Sequence, residues 1–434
     1  MIFVDRLPLW DWSMKQCSIY IFSFMISCFV DSFTDLSSKN KNNQDHEEKR
    51  YMGKTGVANL PLHGGKAPRW LFQRMVALSK GVTEVLIDEY GSDEFLRRLS
   101  DPFWFQAFSC VLGYDWHSSG TTTVTCGALK EALNPLNLGV VLCGGKGNAS
   151  RNTLAEIKAS CEQYNLSSSL IDRLQYCSRM AAKVDNCAIQ DGHTLYHHVF
   201  VLSERKKWAV IQQGMNDEAG YARRYHWLSD EVQSFICEPH STIIGDSRQD
   251  SVLNMTAKQS SATQKISVDL VNDHPVHLQR DWASLTLHHH QRTLDEWISP
   301  INKGCSYHAL DMPRSINWRR MKEIYDVHPT SYEDLLSQPG IGSRTIRALA
   351  LISDLIYGEH PSWEDPIRYT FAHGGKDGVP HPVDLPTYAQ SIQTLADAIE
   401  EARLGQRDKL LALRRLQNLQ PPLPLDPSNL TANA

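Results

Sequence analysis

The stretch LLSQPGIGSRTIRALALISDLIYG, from Leu335 to Gly358, sets Pro339-Gly340-Ile341-Gly342 between two short segments with apolar faces. That spacing reads as a helix-hairpin-helix, a module that grips the phosphate backbone of DNA. Paired glycines let the hairpin turn tightly and keep side chains out of the space between its N–H groups and an approaching phosphate. The second helix aims its positive N-terminus the same way. Ser343, Arg344, Thr345 and Arg347 add hydroxyls and charge at that end. Thr330 and Glu333 have capping-box spacing for the first helix, Ile346, Leu349, Ala350 and Ile356 form an inner stripe on the second, and Gly358 is placed as its C-cap. An ordinary αα-hairpin, with glycines serving only the turn, is the alternative; Gly-x-Gly-x-x-Thr with two arginines goes beyond what a turn requires.

Around this module lies a chain of 434 residues, 41% hydrophobic and 21% charged, long enough for two or three domains and balanced like a soluble globular protein. A formal net charge of -5 excludes a histone-like global basic field, so any DNA contact must be a local patch. Ten cysteines fall without a C-x-x-C pair, which argues against a zinc knuckle or a disulfide framework and for reduced thiols in a cytoplasm. Near the start, Cys17 to Val30 is apolar but shorter than the ~20 residues of a bilayer span. Asp5 and Asp11 upstream, with no small-residue cleavage site, speak against a signal peptide. Residues 35–50 are too polar to bury a core, and the character changes at Met52, which reads as the functional start. Residues 1–51 are therefore expected to be a disordered or mis-annotated extension.

Apolar spacing from Leu71 to Leu99 is helical, broken at Gly81 and Gly91. Phe103, Trp104, Phe105 and Phe108, just after Asp101-Pro102, read as core packing at a helix start rather than a base-stacking platform. A helix from Ala128 to Leu133 precedes a strand, Gly139 to Cys143. The runs His198 to Ser203 and Trp208 to Gln213 flank a polar turn and predict a β-hairpin. Residues 246–263 read as a loop. Trp318, Met321 and Tyr325 share a helix face, and a last amphipathic helix is expected from about Tyr388 to Leu416 before a proline-rich tail.

Three polar constellations could carry chemistry. His63-Gly64-Gly65-Lys66 recurs as His373-Gly374-Gly375-Lys376, with Gly144-Gly145-Lys146-Gly147 as a partial echo. Glycines ahead of a lysine suit close backbone approach to an anion, which nominates Lys66, Lys146 and Lys376 as DNA contacts, plain surface turns being the alternative. The spacing is not that of a phosphate-binding nucleotide loop, so nucleotide hydrolysis is not expected. Asp115 and His117 can share a divalent metal or act as an acid/base pair. Cys126 nearby has nothing to activate it and reads as a buried structural thiol. Finally, Asp185, Asp191, His193, His197 and His198 feed the hairpin that ends Gln212-Gln213-Gly214-Met215-Asn216. Acids ahead of a hairpin with polar ends resemble metal-dependent nucleases, in which carboxylates hold magnesium. The lysine usual on such a strand is missing, with Val199 in the place where phospholipase-D-type phosphodiesterases carry theirs, and a satisfied polar network is the competing reading.

Six segments together resemble the domain of unknown function 763 family of bacteria and archaea: KTGVANLPLHGGKAPRWL from Lys54, SDPFWFQAFSCVLGYDWHSSG from Ser100, AKVDNCAIQDGHTLYHHVF from Ala182, IQQGMN from Ile211, ARRYHW from Ala222 and PGIGSRTIRALAL from Pro339. With FAHGGKDGVPHPVD from Phe371, the resemblance spans roughly Met52 to Leu416 and implies that residues 1–51 lie outside the shared domain. It carries over no catalytic residues. The expected architecture is an α/β or α+β body over 52–300, an all-α helix-hairpin-helix domain over 301–418 and a flexible tail over 419–434. The expected function is DNA binding in repair or recombination, as a metal-dependent nuclease with Asp115, His117, Asp185 and Asp191 catalytic and Asp185, Asp191 and His197 holding magnesium or manganese. DNA would meet Gly340, Gly342, Ser343, Arg344, Thr345, Arg347, Lys66, Lys146 and Lys376. Two alternatives stand beside it, a non-catalytic DNA-binding scaffold and a helix-hairpin-helix glycosylase using Asp365. A cytoplasmic protein without a membrane partner is expected, with a homodimer mate supplying a second hairpin.

Overall fold

The apolar runs on either side of Glu204 to Lys207 form the expected hairpin, β3 (Thr194–Ser203) and β4 (Trp208–Asn216), with Lys206 in the left-handed region (φ 70°) at its tip. They are the centre of a six-stranded sheet in the computed structural model, which describes residues 67–114, 119–245, 248–288, 312–367, 369–370 and 385–417. The strand order is β1 (Val140–Lys146), β3, β4, β5 (Tyr221–Leu228), β6 (Thr242–Gly245) and β8 (Tyr369–Thr370), antiparallel except for the last pair. A separate two-stranded ribbon joins β2 (Ile189–Gln190) to β7 (Leu253–Asn254).

Both faces of the sheet are covered, which is why its strands read as near-continuous apolar runs. Val199, Val201, Ala209, Ile211 and Leu228 pack with α1 (Arg69–Ser100), α2 (Pro102–Leu112), α3 (Gly120–Leu133) and the last two helices, α11 (Leu385–Glu401) and α12 (Gln406–Gln417). Phe200, Leu202, Val210 and Trp227 face the opposite way. There they meet α4 (Thr153–Gln163), α5 (Ser168–Lys183), α6 (Ser261–Asn272), α7 (Pro275–His288), α8 (Trp318–Val327), α9 (Tyr332–Ser337) and α10 (Ser343–Tyr357). This is a mixed α/β body whose C-terminal helices share both of its apolar clusters. The expected division near residue 300 lies outside the described residues. No helix among them is long and apolar enough to cross a membrane.

Several local expectations hold. Trp104, Phe105 and Phe108 are buried in α2, whose N-cap Asp101 accepts from the N–H groups of Phe103 and Trp104. Cys126 is buried, and burial pushes its thiol up to about 12; the seven described cysteines are free thiols. Others shift. Gly81 does not break α1: it stays helical, and its missing side chain leaves room for Leu404, which an added Cβ would meet at 3.1 Å. Gly91 does leave helical space, at φ 83°. The cap of α9 is Ser331 rather than Thr330, its hydroxyl accepting from the Asp334 N–H at 3.1 Å. Part of the expected loop at 246–263 forms β7 and the start of α6, and the last helix divides into α11 and α12. Ile356 is exposed; Ile352 and Ser353 complete the buried stripe of α10, which ends as expected at Gly358 in the left-handed region.

Candidate phosphate-binding hairpin and buried carboxylate centre

Two short helices, α9 and α10, flank the turn from Gln338 to Gly342. Gly340 sits at φ 83°, a conformation side chains disfavour, and an added Cβ would meet Arg320 at 2.8 Å. Gly342 is different: its backbone is extended and its Cβ position is open. The turn is pinned through its carbonyls. Arg320 Nε donates to Pro339 O at 2.5 Å, while Lys183 Nζ donates to Gln338 O at 3.2 Å and also to Ile341 O. Pro339, Gly340 and Arg344 are exposed. Ser343 is half-buried and its carbonyl accepts from Gln190 Nε2 at 2.8 Å. Thr345, by contrast, is buried, and the half-buried Arg347 guanidinium lies over the Trp363 ring at 5.5 Å. Of the four polar residues expected at this end, Arg344 is the one presented to solvent.

Asp185 occupies a π-helical turn, Val184–Ala188, that ends α5. It is fully buried: Gln212 Nε2 donates to Oδ2 at 2.5 Å, Trp227 Nε1 donates to Oδ2 at 3.0 Å, and His240 Nε2 pairs with Oδ1. Burial, partly offset by His240, pushes its pKa above that of an ordinary carboxyl group. Asp191 is also enclosed, accepting from the His193 N–H at 3.0 Å, Arg223 Nη1 at 3.0 Å and Tyr225 OH at 2.6 Å. Burial pushes Asp191 up, but His193, Arg223 and Tyr225 outweigh it and hold the group well below the carboxylate range. Arg223 in turn grips both oxygens of Asp365, which also accepts from the N–H groups of Gln249 and Ile367. A cleft of about 320 Å³ opens onto His240, Asn254, Thr256, Ser362 and Asp365.

Residues 56–383 match the family described as Protein of unknown function (DUF763). The chain belongs to the DUF763 family. No curated protein and no solved structure matches it.

In this DUF763 chain the expected metal set is not brought together. Asp185 and Asp191 lie on the sheet face of Gln212, Tyr225 and Trp227, whereas His197, directly paired with Gln213, is on the opposite face. A side-chain period of two makes that separation unavoidable. Both carboxylates are already taken by protein donors, and among the described residues no group of three or more His, Cys, Asp or Glu side chains is disposed to hold a metal ion. Lys146 is exposed at the end of β1, its ammonium 5.8 Å from the Tyr196 ring centroid. Asp115, His117, Lys66 and Lys376 lie outside the described residues.

Sequence reasoning missed Arg223 and His240, the groups that hold the acids. Arg223 and Arg224 are both fully buried on β5, facing opposite sides. One signal was legible in retrospect: two adjacent arginines flanked by aromatics, Tyr221 and Tyr225, Trp227, in a run short enough for a strand.

Proposed function

We propose that this chain binds DNA through backbone phosphates at the helix-hairpin-helix formed by α9, the Gln338 to Gly342 turn and α10. The observation that carries the reading is the pinned turn: Lys183 and Arg320 hold its carbonyls inward, which leaves the N–H side of Gly340 and Gly342 and the first turn of a 15-residue helix for an anion. The first N–H groups of a helix lack intrahelical partners and carry its positive dipole end. Exposed Arg344 adds a cation beside them. Such contacts position a duplex without reading its bases. The paired state of Asp185 and Asp191 supports a binding role over cleavage by magnesium or manganese at those acids, and the saturated oxygens of Asp365 leave it no free acceptor for glycosylase chemistry.

Fluorescence anisotropy with unrelated duplexes tests this. Arg344→Ala is expected to weaken all of them alike, and removing one phosphate contact should reduce the slope of log affinity against log salt by about 0.9. Unchanged affinity, or a change in sequence preference alone, would overturn the phosphate grip. Asp185→Asn should leave any magnesium- or manganese-stimulated cleavage by the chain unaltered.

A further inference from the structure

On the sheet face away from Asp185 and Asp191, four polar side chains stand in one row across four strands. Lys146 on β1 pairs with His197 on β3, His197 pairs with Gln213 on β4, and Gln213 pairs with Arg224 on β5. Directly paired residues present their side chains to the same face. His197, Gln213 and Arg224 are each at most 1% exposed.

All three carry hydrogen-bonding atoms that no group among the described residues meets. Both ring nitrogens of His197 lack a partner, as do Gln213 Oε1 and Arg224 Nε. Enclosed polar atoms left this way are rare and call for an unseen partner. Gln213 is held in place by its other end, Nε2 donating to Ser119 O at 2.8 Å and to Tyr196 OH. Arg224 meets neutral groups: Gln106 Oε1 at 3.1 Å, Thr122 Oγ1 at 3.5 Å and the Phe105 ring at 4.5 Å. No carboxylate among the described residues pairs with it. Its neighbour Arg223, on the other face, has two. A buried guanidinium without a counter-charge is strongly unfavourable.

The complement of this row is a ligand with an anionic group for Arg224 and Lys146 and a hydroxyl or amino donor for Gln213 Oε1, with the His197 ring able to give one hydrogen bond and accept another. Strands lie about 4.8 Å apart, so the row spans roughly 14 Å from first to last, longer than a free oxyanion. We propose that the row Lys146, His197, Gln213 and Arg224 is a binding site for a hydroxyl-bearing phosphate ester, of the size of a sugar phosphate or mononucleotide. The inference is independent of the hairpin.

Thermal shift and calorimetry on the full chain test it with ribose 5-phosphate, adenosine 5′-monophosphate, inorganic phosphate and ribose. A phosphate ester is expected to bind and raise the melting temperature, inorganic phosphate to do so more weakly and ribose not at all. Lys146→Ala, a surface change, should leave the unliganded melting temperature unaltered. Loss of one charge-assisted contact should weaken the ester about tenfold or more. In the parent chain, ¹⁵N signals of the His197 ring should move on binding, a response that does not depend on any variant folding. Arg344→Ala should not affect the ester. Failure of both esters to bind, equal binding by Lys146→Ala, or an unmoved His197 signal would overturn the proposal.

Discussion

His197, His198 and His226 are enclosed in the fold, and burial, the first cause in each case, lowers all three below the ordinary histidine range, His197 to about 3. The unfolded chain takes up their protons near about pH 6.5, while the folded chain does not. Their contribution to stability is therefore complete above about pH 6.5 and is lost as pH falls toward the folded values, at up to about 1.4 kcal/mol per pH unit for each. Asp191, held low in the fold, acts in a separate window: its contribution is present above about pH 3.9 and is lost only below it. Denaturant titrations from about pH 8 down to about pH 5 should show stability falling, and His197→Gln should flatten the fall. A profile level across that range would contradict the neutral state of these rings. At this scale the sequence was a partial guide. It marked Asp185, Asp191 and His197 as unusual and suggested a satisfied network as one reading, which the Arg223, Tyr225 and Trp227 contacts match for the acids. These donors come from β5, 32 to 42 positions further along the chain, and nothing local ties them to the acids.

Between α9 and α10, two glycines that look equivalent in sequence do different things. Gly340 needs its left-handed backbone and faces Arg320; Gly342 is extended with open space around it. Gly340→Ala is expected to cost about 1–2 kcal/mol of folding stability from its backbone conformation alone. Gly342→Val should change stability little yet weaken DNA binding, because its side chain would stand where a phosphate approaches the N–H groups. Denaturation and anisotropy on the same pair of variants check both. If Gly342→Val binds DNA like the parent, the hairpin serves packing alone. Elements built on local periodicity and turn chemistry, such as β3 with β4 and α9 with α10, were legible in the sequence. β5 was not, because Arg223, Arg224 and His226 break its apolar pattern; their burial depends on Asp365 and Gln106, distant in sequence.

Across the molecule, the sheet is closed on one side by helices from both ends of the described chain. Ile392, Leu395, Ile399, Ala412 and Leu416 share a cluster with Met75, Leu86 and Phe105, and Arg74 pairs with Asp408, 334 positions away. A chain cut before Leu385 would bare that cluster, and exposed apolar patches of this kind drive association. It should lose the cooperative melting transition and aggregate; an unchanged transition would show that α11 and α12 are accessory. Order along the chain then sets order in time. Synthesis runs at about 5–20 residues per second, so while α2, α3 and the sheet follow α1 early, the part of its cluster that α11 and α12 cover stays open until the end of translation. A molecule assembled this way depends on whatever guards nascent chains in its cell, and its yield should be more sensitive to chaperone supply than to the stability of the finished fold.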